Sequence, residues 1–364
     1  MTQQMNNNEK RLKLFRHAEV AEPRFLGEGA WHEAWKVVKD GCERVLRIPK
    51  EVAYGKRVAF DSNALTAEYA ATKLYYQSVN QAVPGAVPDF YEFYVSPDFT
   101  YTLESFGGDS LSLHTMTIEQ AAHIGVQVGE IYRKTDQIEH GVEGLGYLIW
   151  TEEEKLHGSL SGDLHTFVRE ESDEQLADYK VLCEAYPEIQ DDVVAQMLHA
   201  ATELRNKQVS VPSLVNQDAS PENILVKGNR VCLIDPYPIV YAPRGMAGNF
   251  MNLYENYFLA LSQTERYRKH RFDTCEEQLK AIATGFLEGY CDGDESIIRE
   301  VRGEQLLQLL ETVYLHHQLL SQEELMREDI IRYGDKLAIT TRLFELNDSL
   351  KQLARTCLTE RWSL

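Results

Sequence analysis

The chain has 364 residues, 43% of them hydrophobic, and a formal net charge of −20. At about 150 residues per domain, this length suggests roughly two units with enough apolar content for sizeable cores. The acidic balance, with no basic run standing out, argues against nucleic acid as a partner; it suits attraction of cationic small molecules, although net charge also serves plain solubility.

Residues 1 to about 22 read as a polar lead-in. The opening MTQQMNNNEKRLK has no apolar core of a secretory signal. Arg24 to Lys50 then reads as strand, Gly-rich turn, strand, turn and strand. Its signals are Gly27-Glu28-Gly29, the apolar stretch Ala34 to Val38, the Asp40-Gly41 pair and the apolar stretch Val45 to Ile48. Asn63 to Tyr76 carries apolar residues at helical spacing. Residues 82–88 (AVPGAVP) are a loop, punctuated by Pro and Gly. Short strands are expected at Phe90 to Val95 and Thr100 to Leu103, and the Gly107-Gly108 pair ends this first unit.

From Met116 onward the pattern turns helical. Helices are expected at Ile118–Thr135, Gln175–Cys183, Asp191–Lys207, Asn249–Gln263, Cys275–Tyr290, Glu304–Leu320, Glu324–Tyr333 and Leu337–Leu358. One strand-like insertion, Ser213 to Ile234, interrupts them. No apolar stretch approaches the roughly 18 residues of a membrane span. The six cysteines are scattered without a C-x-x-C pair, so neither a zinc site nor a disulfide framework is suggested. A soluble cytoplasmic protein with reduced thiols is the expectation.

The most informative stretch is LVNQDASPENILVKGNRVCLIDPYP, Leu214 to Pro238. Asp218 is followed five residues later by Asn223. Then come the apolar strand ILV, a turn at Lys227 to Asn229, and the apolar strand VCLI ending at Asp235. A hairpin of this kind brings Asn223 and Asp235 together at one end, with Asp218 on the loop before it. Phosphoryl transfer needs a carboxylate to orient the attacking hydroxyl and oxygen ligands for Mg²⁺, and these three residues supply that set. A plain Asn/Asp-rich turn between two strands is the competing reading, since such turns are common.

These residues resemble the protein-kinase-like phosphotransferases, whose loop reads H-x-D-x-x-x-x-N and is followed by a metal-binding Asp at the end of a hairpin. The small-molecule branch of aminoglycoside phosphotransferases and choline kinase-like enzymes typically has H-G-D-x-x-x-x-N and I-D. Here the matching residues are Asn216-Gln217-Asp218, Asn223 and Ile234-Asp235-Pro236. The departure is Asn216, where the family usually has His.

The resemblance implies an α+β, bilobal, protein-kinase-like fold. Residues 1–106 would form a nucleotide-binding lobe with a small antiparallel sheet and one helix. Residues 107–364 would form the mainly helical lobe with the catalytic loop and acceptor site. It further implies ATP or GTP with Mg²⁺ as cofactors, Asp218 as the base or hydroxyl-orienting residue, and Asn223 and Asp235 as metal ligands. Gly27 and Gly29 would approach the phosphates. Arg47 would hold them from the following strand, with Lys50 as the other candidate. Glu68 would pair with that cation from the helix. The backbone of Glu104 to Phe106 would bind the adenine edge, with the Phe106 ring near the base.

Gly144 to Tyr147 resembles a family loop near the acceptor pocket, and the polar, Gly-containing stretch Ser159 to His165 offers Asp163 and His165 as candidates to face it. Glu255, Glu311, His316 and His317 are further ones. The expected function is phosphate transfer to a hydroxyl of a small molecule, for instance a cationic antibiotic or an amino-containing metabolite. The alternatives are a nucleotide-binding module without catalysis, a protein kinase, and a metal hydrolase. A protein kinase would need an activation segment, but PYPIVYAPRGMAGNF after Asp235 enters a helix directly. A metal hydrolase would need a spacing such as H-E-x-x-H, which does not occur.

Overall fold

The computed structural model describes residues 2–207 and 211–359. Its first lobe is a five-stranded antiparallel sheet built from β1 (Ala21–Glu28), β2 (His32–Lys39), β3 (Cys42–Pro49), β6 (Tyr91–Val95) and β7 (Thr100–Ser105). The spatial order is β1-β2-β3-β7-β6. Asp40 and Gly41 join β2 to β3 with φ of 51° and 74°, the left-handed pair that matches the twist of a tight hairpin. A two-residue pair, β4 (Val52–Ala53) with β5 (Lys56–Arg57), precedes helix α2 (Ser62–Ala82). Asp61 caps α2 by accepting from the amides of Asn63 and Ala64 at 3.0 Å.

The expected polar lead-in is instead a helix, α1 (Thr2–His17). Its Leu14 and Phe15, with Ala18 just beyond, are buried against Val37, Leu46, Tyr101 and Leu103 of the sheet. A few apolar residues on one helical face suffice when a sheet surface waits to be covered.

The larger lobe is mainly helical. In chain order it contains β8 (Asp109–Ser110), α3 (Ile118–Thr135), β9 (Leu145–Thr151), β10 (Lys155–Leu160), α4 (Leu164–Ala185) and α5 (Asp192–Lys207). Then come β11 (Ser213–Asn216), β12 (Ile224–Lys227), β13 (Arg230–Leu233), β14 (Pro238–Tyr241) and α6 (Pro243–Asn252). A π-helical turn at Leu253–Tyr257 leads into α7 (Phe258–Ala260), followed by α8 (Glu276–Cys291), α9 (Glu295–Ser321), α10 (Arg327–Tyr333) and α11 (Lys336–Thr359). Two small sheets of order β10-β9-β14-β11 and β13-β12-β8 carry the loops of interest.

Several elements run longer than their periodicity suggests. α4 starts at Leu164 rather than Gln175 because Asp163 caps it, accepting from the Thr166 amide at 2.9 Å. α9 starts at Glu295 rather than Glu304 because Asp294 does the same for Ser296 at 2.8 Å. Of Gly144 to Tyr147, expected as a loop, the last three residues open β9, which pairs with β10 and β14. The expected helix Asn249–Gln263 is broken by the π-helical turn.

α3 and α8 pack with their backbones in contact. Gly125 and Gly129 face Gly285 and Gly289, and a Cβ on Gly125 would lie 2.1 Å from the Ile282 carbonyl oxygen. Beside this seam Phe250 stacks on Phe286 at 3.9 Å and on Tyr254 at 4.4 Å, forming the core on which the loop after β11 rests. Among the described residues no helix is long and apolar enough to cross a membrane.

Candidate functional site

β11 ends at Asn216, which is buried and organises the loop that follows. Its Oδ1 accepts from the amides of Asp218 at 3.1 Å and Tyr237 at 2.8 Å, while its Nδ2 donates to the Asp218 carbonyl at 2.9 Å. Three carbonyls of the loop take donors from the helices behind it. Tyr132 of α3 reaches Asn216 O at 3.5 Å, Asn249 of α6 reaches Gln217 O at 3.4 Å, and Tyr254 reaches Ala219 O at 2.9 Å. The loop is therefore fixed from its inner side, and the Asp218 side chain is left at the surface. Its carboxylate accepts from the Ser220 amide at 3.1 Å. The protein packed around that carboxylate raises its pKa by desolvation, which outweighs the Ser220 hydrogen bond, and the Asp235 charge adds to the rise.

The hairpin β12–β13 brings Asn223 beside Asp235, as its spacing requires. The Ile234 amide donates to Asn223 O at 2.9 Å, and Asn223 Nδ2 donates to Asp235 O at 3.3 Å. Asp235 has φ of 50°, a left-handed conformation that costs a non-glycine residue free energy and is typical of residues held for a purpose. Tyr76 of α2 holds it there: its hydroxyl accepts from the Asp235 amide at 3.2 Å and donates to Glu104 Oε2 at 3.1 Å. Tyr76 thus ties the sheet lobe to the hairpin of the helical lobe, a role its place in an apolar helix pattern does not advertise.

Arg47 of β3 meets this hairpin from above. Its Nη2 lies 2.5 Å from Asp235 Oδ2. In register, Arg47 faces Thr102 and Val45 faces Glu104, so Arg47, Thr102 and Glu104 share the face turned toward α2. Burial alone would raise the Asp235 pKa, but the Arg47 charge and hydrogen bond hold it below the usual carboxylate range. The buried Glu104 is pushed up to about 7, first by desolvation, against the pull of Arg47.

Glu68 lies on α2 at the same cleft, yet the cation of β3 pairs with Asp235 rather than with Glu68. The ring nitrogen nearest Glu68 is His32 Nε2, 4.0 Å from its carboxylate. Burial in the cleft and the Asp235 charge raise the Glu68 pKa. His32 itself hydrogen-bonds Tyr69 at 3.0 Å and is lowered to about 4 by burial, then by Arg47, so it is neutral at pH 7.

Gly27 and Gly29 lie in and just beyond the end of β1, where the Gly29 amide donates to His32 O at 2.9 Å to close the turn. Lys50 braces it, 3.1 Å from Glu28 and 3.4 Å from Gly29 O, and does not join the Arg47 cluster. Glu104 is registered with both Val45 and Tyr91, so its side chain, not its peptide edge, faces the site. The chain leaves the sheet after Ser105. Phe106 follows, with Lys36 Nζ 4.4 Å from its ring centre. Gly108 has φ of 130°, and a Cβ there would lie 2.5 Å from the Val226 carbonyl oxygen; the crossing between lobes hugs β12 closely.

The remaining candidates lie in structural roles. Asp163 is a helix cap, and His165 lies in the first turn of α4. Glu255 pairs with Arg302 at 3.1 Å, Glu311 accepts from Gln175, and buried His316 bonds the Thr312 carbonyl at 2.8 Å. His317 meets the Tyr186 hydroxyl at 3.3 Å. Glu222, which the spacing argument passes over, lies beside Asn223 and is paired with Arg266 at 3.2 Å, Lys269 at 3.3 Å and His270 at 3.1 Å. Despite its burial, the hydrogen bond from His270 and the charges of Arg266 and Lys269 hold it down to about 2. Contrary to the expectation of no basic run, Arg266 to Arg271 is one, and its Arg266 and Lys269 lie against this single carboxylate.

Among the described residues no group of three or more His, Cys, Asp or Glu side chains is placed to hold a metal ion by itself. Asp235 with Asn223 instead fits an ion that keeps several other oxygen ligands, as Mg²⁺ does when nucleotide phosphates supply them.

No family model and no curated protein matches the chain. Solved structures do. Aminoglycoside phosphotransferase APH(4)-Ia aligns with a TM-score of 0.53 and 13% identity, covering 96% of this chain and 99% of its own. A thermostable mutant of it, in a ternary complex with ADP and hygromycin B, aligns with a TM-score of 0.52 and 14% identity over 94% of this chain and 98% of that one. The same mutant background with AMP-PNP and hygromycin B gives a TM-score of 0.52 and 16% identity over the same shares. The chain therefore has the bilobal, protein-kinase-like fold of the aminoglycoside phosphotransferase structures, with an antiparallel-sheet lobe before a larger helical one.

Proposed function

We propose that the chain is an ATP- or GTP-dependent phosphotransferase that moves the terminal phosphate of the nucleotide to a hydroxyl of a small molecule. The observation that carries this reading is the convergence of Asp218, Asn223 and Asp235 on one end of the β12–β13 hairpin, with Arg47 2.5 Å from Asp235 across the cleft. Asp218 would take the proton of the attacking hydroxyl as its oxygen forms the new bond to phosphorus and the bond to the leaving diphosphate breaks. Asn223 and Asp235 would hold Mg²⁺, which neutralises the phosphate oxygens. Arg47 would exchange Asp235 for the nucleotide phosphates, and the Phe106–Gly107 peptide would meet the base.

The fold neighbour binds hygromycin B, and the −20 charge of this chain favours cationic acceptors by steering. An amine-bearing antibiotic or metabolite, phosphorylated in the cytoplasm, is the acceptor class that follows. The test is a phosphate-transfer assay with Mg-ATP and Mg-GTP over aminoglycosides, amino alcohols and sugars, run beside Asp218→Asn. The reading fails if neither transfer nor slow nucleotide hydrolysis that depends on Asp218 is detected.

A second reading, a nucleotide-binding module without catalysis, has one observation in its favour: Arg47 already neutralises Asp235. It predicts nucleotide binding that does not depend on Mg²⁺ and no transfer to any acceptor.

A further inference from the structure

We propose that Trp31, Tyr54 and Arg332 form a clasp between the lobes that holds the β1–β2 turn over the cleft, so that nucleotide enters and leaves when the Tyr54–Arg332 contact opens. This rests on the phosphotransferase reading and adds to it the residues that set the rate of nucleotide exchange.

The contact runs from one lobe to the other. Tyr54 stands at the tip of the β4–β5 hairpin of the sheet lobe, and the Arg332 guanidinium of α10 lies 5.3 Å from its ring centre. A Cβ on the neighbouring Gly55 would lie 3.5 Å from Arg327 Cζ, so the same tip meets α10 at two points. Tyr54 also meets Trp31 edge to face, with ring centres 5.7 Å apart.

Each end of this chain of contacts is tied to the site. Trp31 lies in the β1–β2 turn, and its carbonyl accepts from the Lys50 amide at 2.7 Å. The next residue, His32, lines the small polar cavity with Arg47, Glu68 and Asp235. At the other end, the Ile331 carbonyl of α10 accepts from the Arg266 amide at 3.0 Å. Arg266 pairs with Glu222, the neighbour of Asn223. The clasp therefore bridges the turn that would cover the phosphates and the loop that would hold the metal, by a route separate from the Arg47–Asp235 pair.

The backbone marks Tyr54 as held for its ring. Tyr54 and Gly55 make the two-residue turn of the hairpin, with φ of 51° and 75°. Both positions of such a turn are left-handed, and Asn, Asp or Gly suits the first of them. A tyrosine there costs free energy and persists where its surroundings over-determine it. The strands β4 and β5 have two residues each, too few to hold a hairpin without packing from outside it.

The contacts are also of a strength that can open. Trp31 is 48% exposed and the Arg332 side chain 39%. Arg332 has a second partner on its own helix, Glu328 at 3.1 Å, which keeps the guanidinium paired when the tyrosine leaves. An exposed cation–π contact or aromatic pair shifts an equilibrium by up to about tenfold. That suits a clasp that is mostly shut and still releases product.

The experiment uses the full chain. Release of N-methylanthraniloyl ADP in the presence of Mg²⁺ is followed by stopped-flow fluorescence. Tyr54→Asn, which suits the turn and removes the ring, and Arg332→Gln should each speed release by about tenfold. The double variant should be no faster than either single one, because both remove the same contact. Tyr54→Phe keeps the ring face and should release at close to the wild-type rate. In the nucleotide-free protein, hydrogen exchange of residues 27–36, read by mass spectrometry, should quicken in Arg332→Gln although that residue belongs to the other lobe. An arginine that only stabilises α10 would leave that exchange unmoved. The proposal is overturned if either single variant releases nucleotide at the wild-type rate, if the two effects multiply in the double variant, or if residues 27–36 exchange in Arg332→Gln as they do in wild type. A wild-type protein that binds no nucleotide sinks the phosphotransferase reading, while the hydrogen exchange decides the clasp without nucleotide, so the two failures are distinguishable.

Discussion

Arg47 and Asp235 form an ion pair at 2.5 Å that joins the sheet lobe to the helical lobe at the centre of the cleft. In the proposed phosphotransferase Arg47 would meet phosphate and Asp235 would meet Mg²⁺, so the two would satisfy each other until a nucleotide and its metal compete for both. The pair is unequal: the Arg47 side chain is 16% exposed and that of Asp235 47%. Removing the arginine takes from Asp235 its direct partner and from buried Glu104 the charge that offsets its burial.

Arg47→Ala is expected to weaken Mg-ATP binding at least tenfold, as loss of a charged phosphate contact of about 1.4 kcal/mol would, and to lower stability by about 2 kcal/mol. Calorimetric titration and urea denaturation check both. Unchanged nucleotide affinity would show that Arg47 does not meet the phosphates.

Asp218→Ala and Asp235→Ala should separate chemistry from binding. The first is expected to slow transfer by ~10²–10⁴, the usual contribution of a positioned base, with nucleotide affinity nearly intact. The second should lose the Mg²⁺-dependent part of nucleotide binding. Single-turnover kinetics beside titrations with and without Mg²⁺ provide the check; wild-type turnover in Asp218→Ala would remove that residue from the mechanism.

Asn216 replaces the histidine usual at its position in the resembling enzymes, and its geometry says why histidine would not serve here. One side-chain oxygen accepts from two amides, at 3.1 and 2.8 Å, while the amide nitrogen donates to a carbonyl at 2.9 Å. A neutral imidazole has one acceptor nitrogen, so Asn216→His leaves one buried amide unpaired. Expected are a loss of about 1–3 kcal/mol in stability and lower, not higher, transfer activity. Asn216→Ala should cost at least as much.

The contribution of two buried carboxylates to stability should fall as pH rises from about 4 to about 7. Glu104 and Asp136 are both raised to about 7, burial being the first cause in each. Unfolded, they titrate near 4. Between about pH 4 and pH 7 the folded state holds more protons, so each unit of rising pH in that window costs stability, and the effect is complete above it. Asp136→Asn keeps an acceptor for the Tyr290 hydroxyl, now at 2.7 Å. It should flatten the slope of melting temperature against pH, while an unchanged slope would assign the pH dependence elsewhere. Asp218, raised in the same direction, should place the acid limb of turnover above the ordinary aspartate range.

Gly108→Ala should be destabilising by roughly 1–3 kcal/mol, since φ of 130° and an approach of 2.5 Å to the Val226 oxygen leave no room for a methyl group. Gly41→Ala, strained in φ but open in space, is the control for conformation alone. Thermal melts of the two variants, compared, measure what the close approach adds.

Much of the architecture was legible because periodicity is local. Apolar spacing located α3 to the residue and placed α5, α8 and α11 within a residue or two, and the Asp40-Gly41 pair located the β2–β3 hairpin. The failures have local causes as well. α4 and α9 begin at acidic caps inside charged stretches where the apolar period is diluted. β9 is half exposed, so its alternation is weak.

By itself the sequence determined which residues meet at the hairpin. Asn223 and Asp235 flank two paired strands of fixed register, and the loop before them carries Asp218, so chain connectivity alone brings the three together. What only the tertiary structure decided was their partners. That Arg47 meets Asp235 rather than Glu68, that Tyr76 ties Asp235 to Glu104, that Glu222 gathers Arg266, Lys269 and His270 from far along the chain, and that Tyr147 and Tyr237 stand exposed together all depend on how separate elements pack. Those contacts join residues dozens of positions apart, and no local spacing encodes a distance across a cleft.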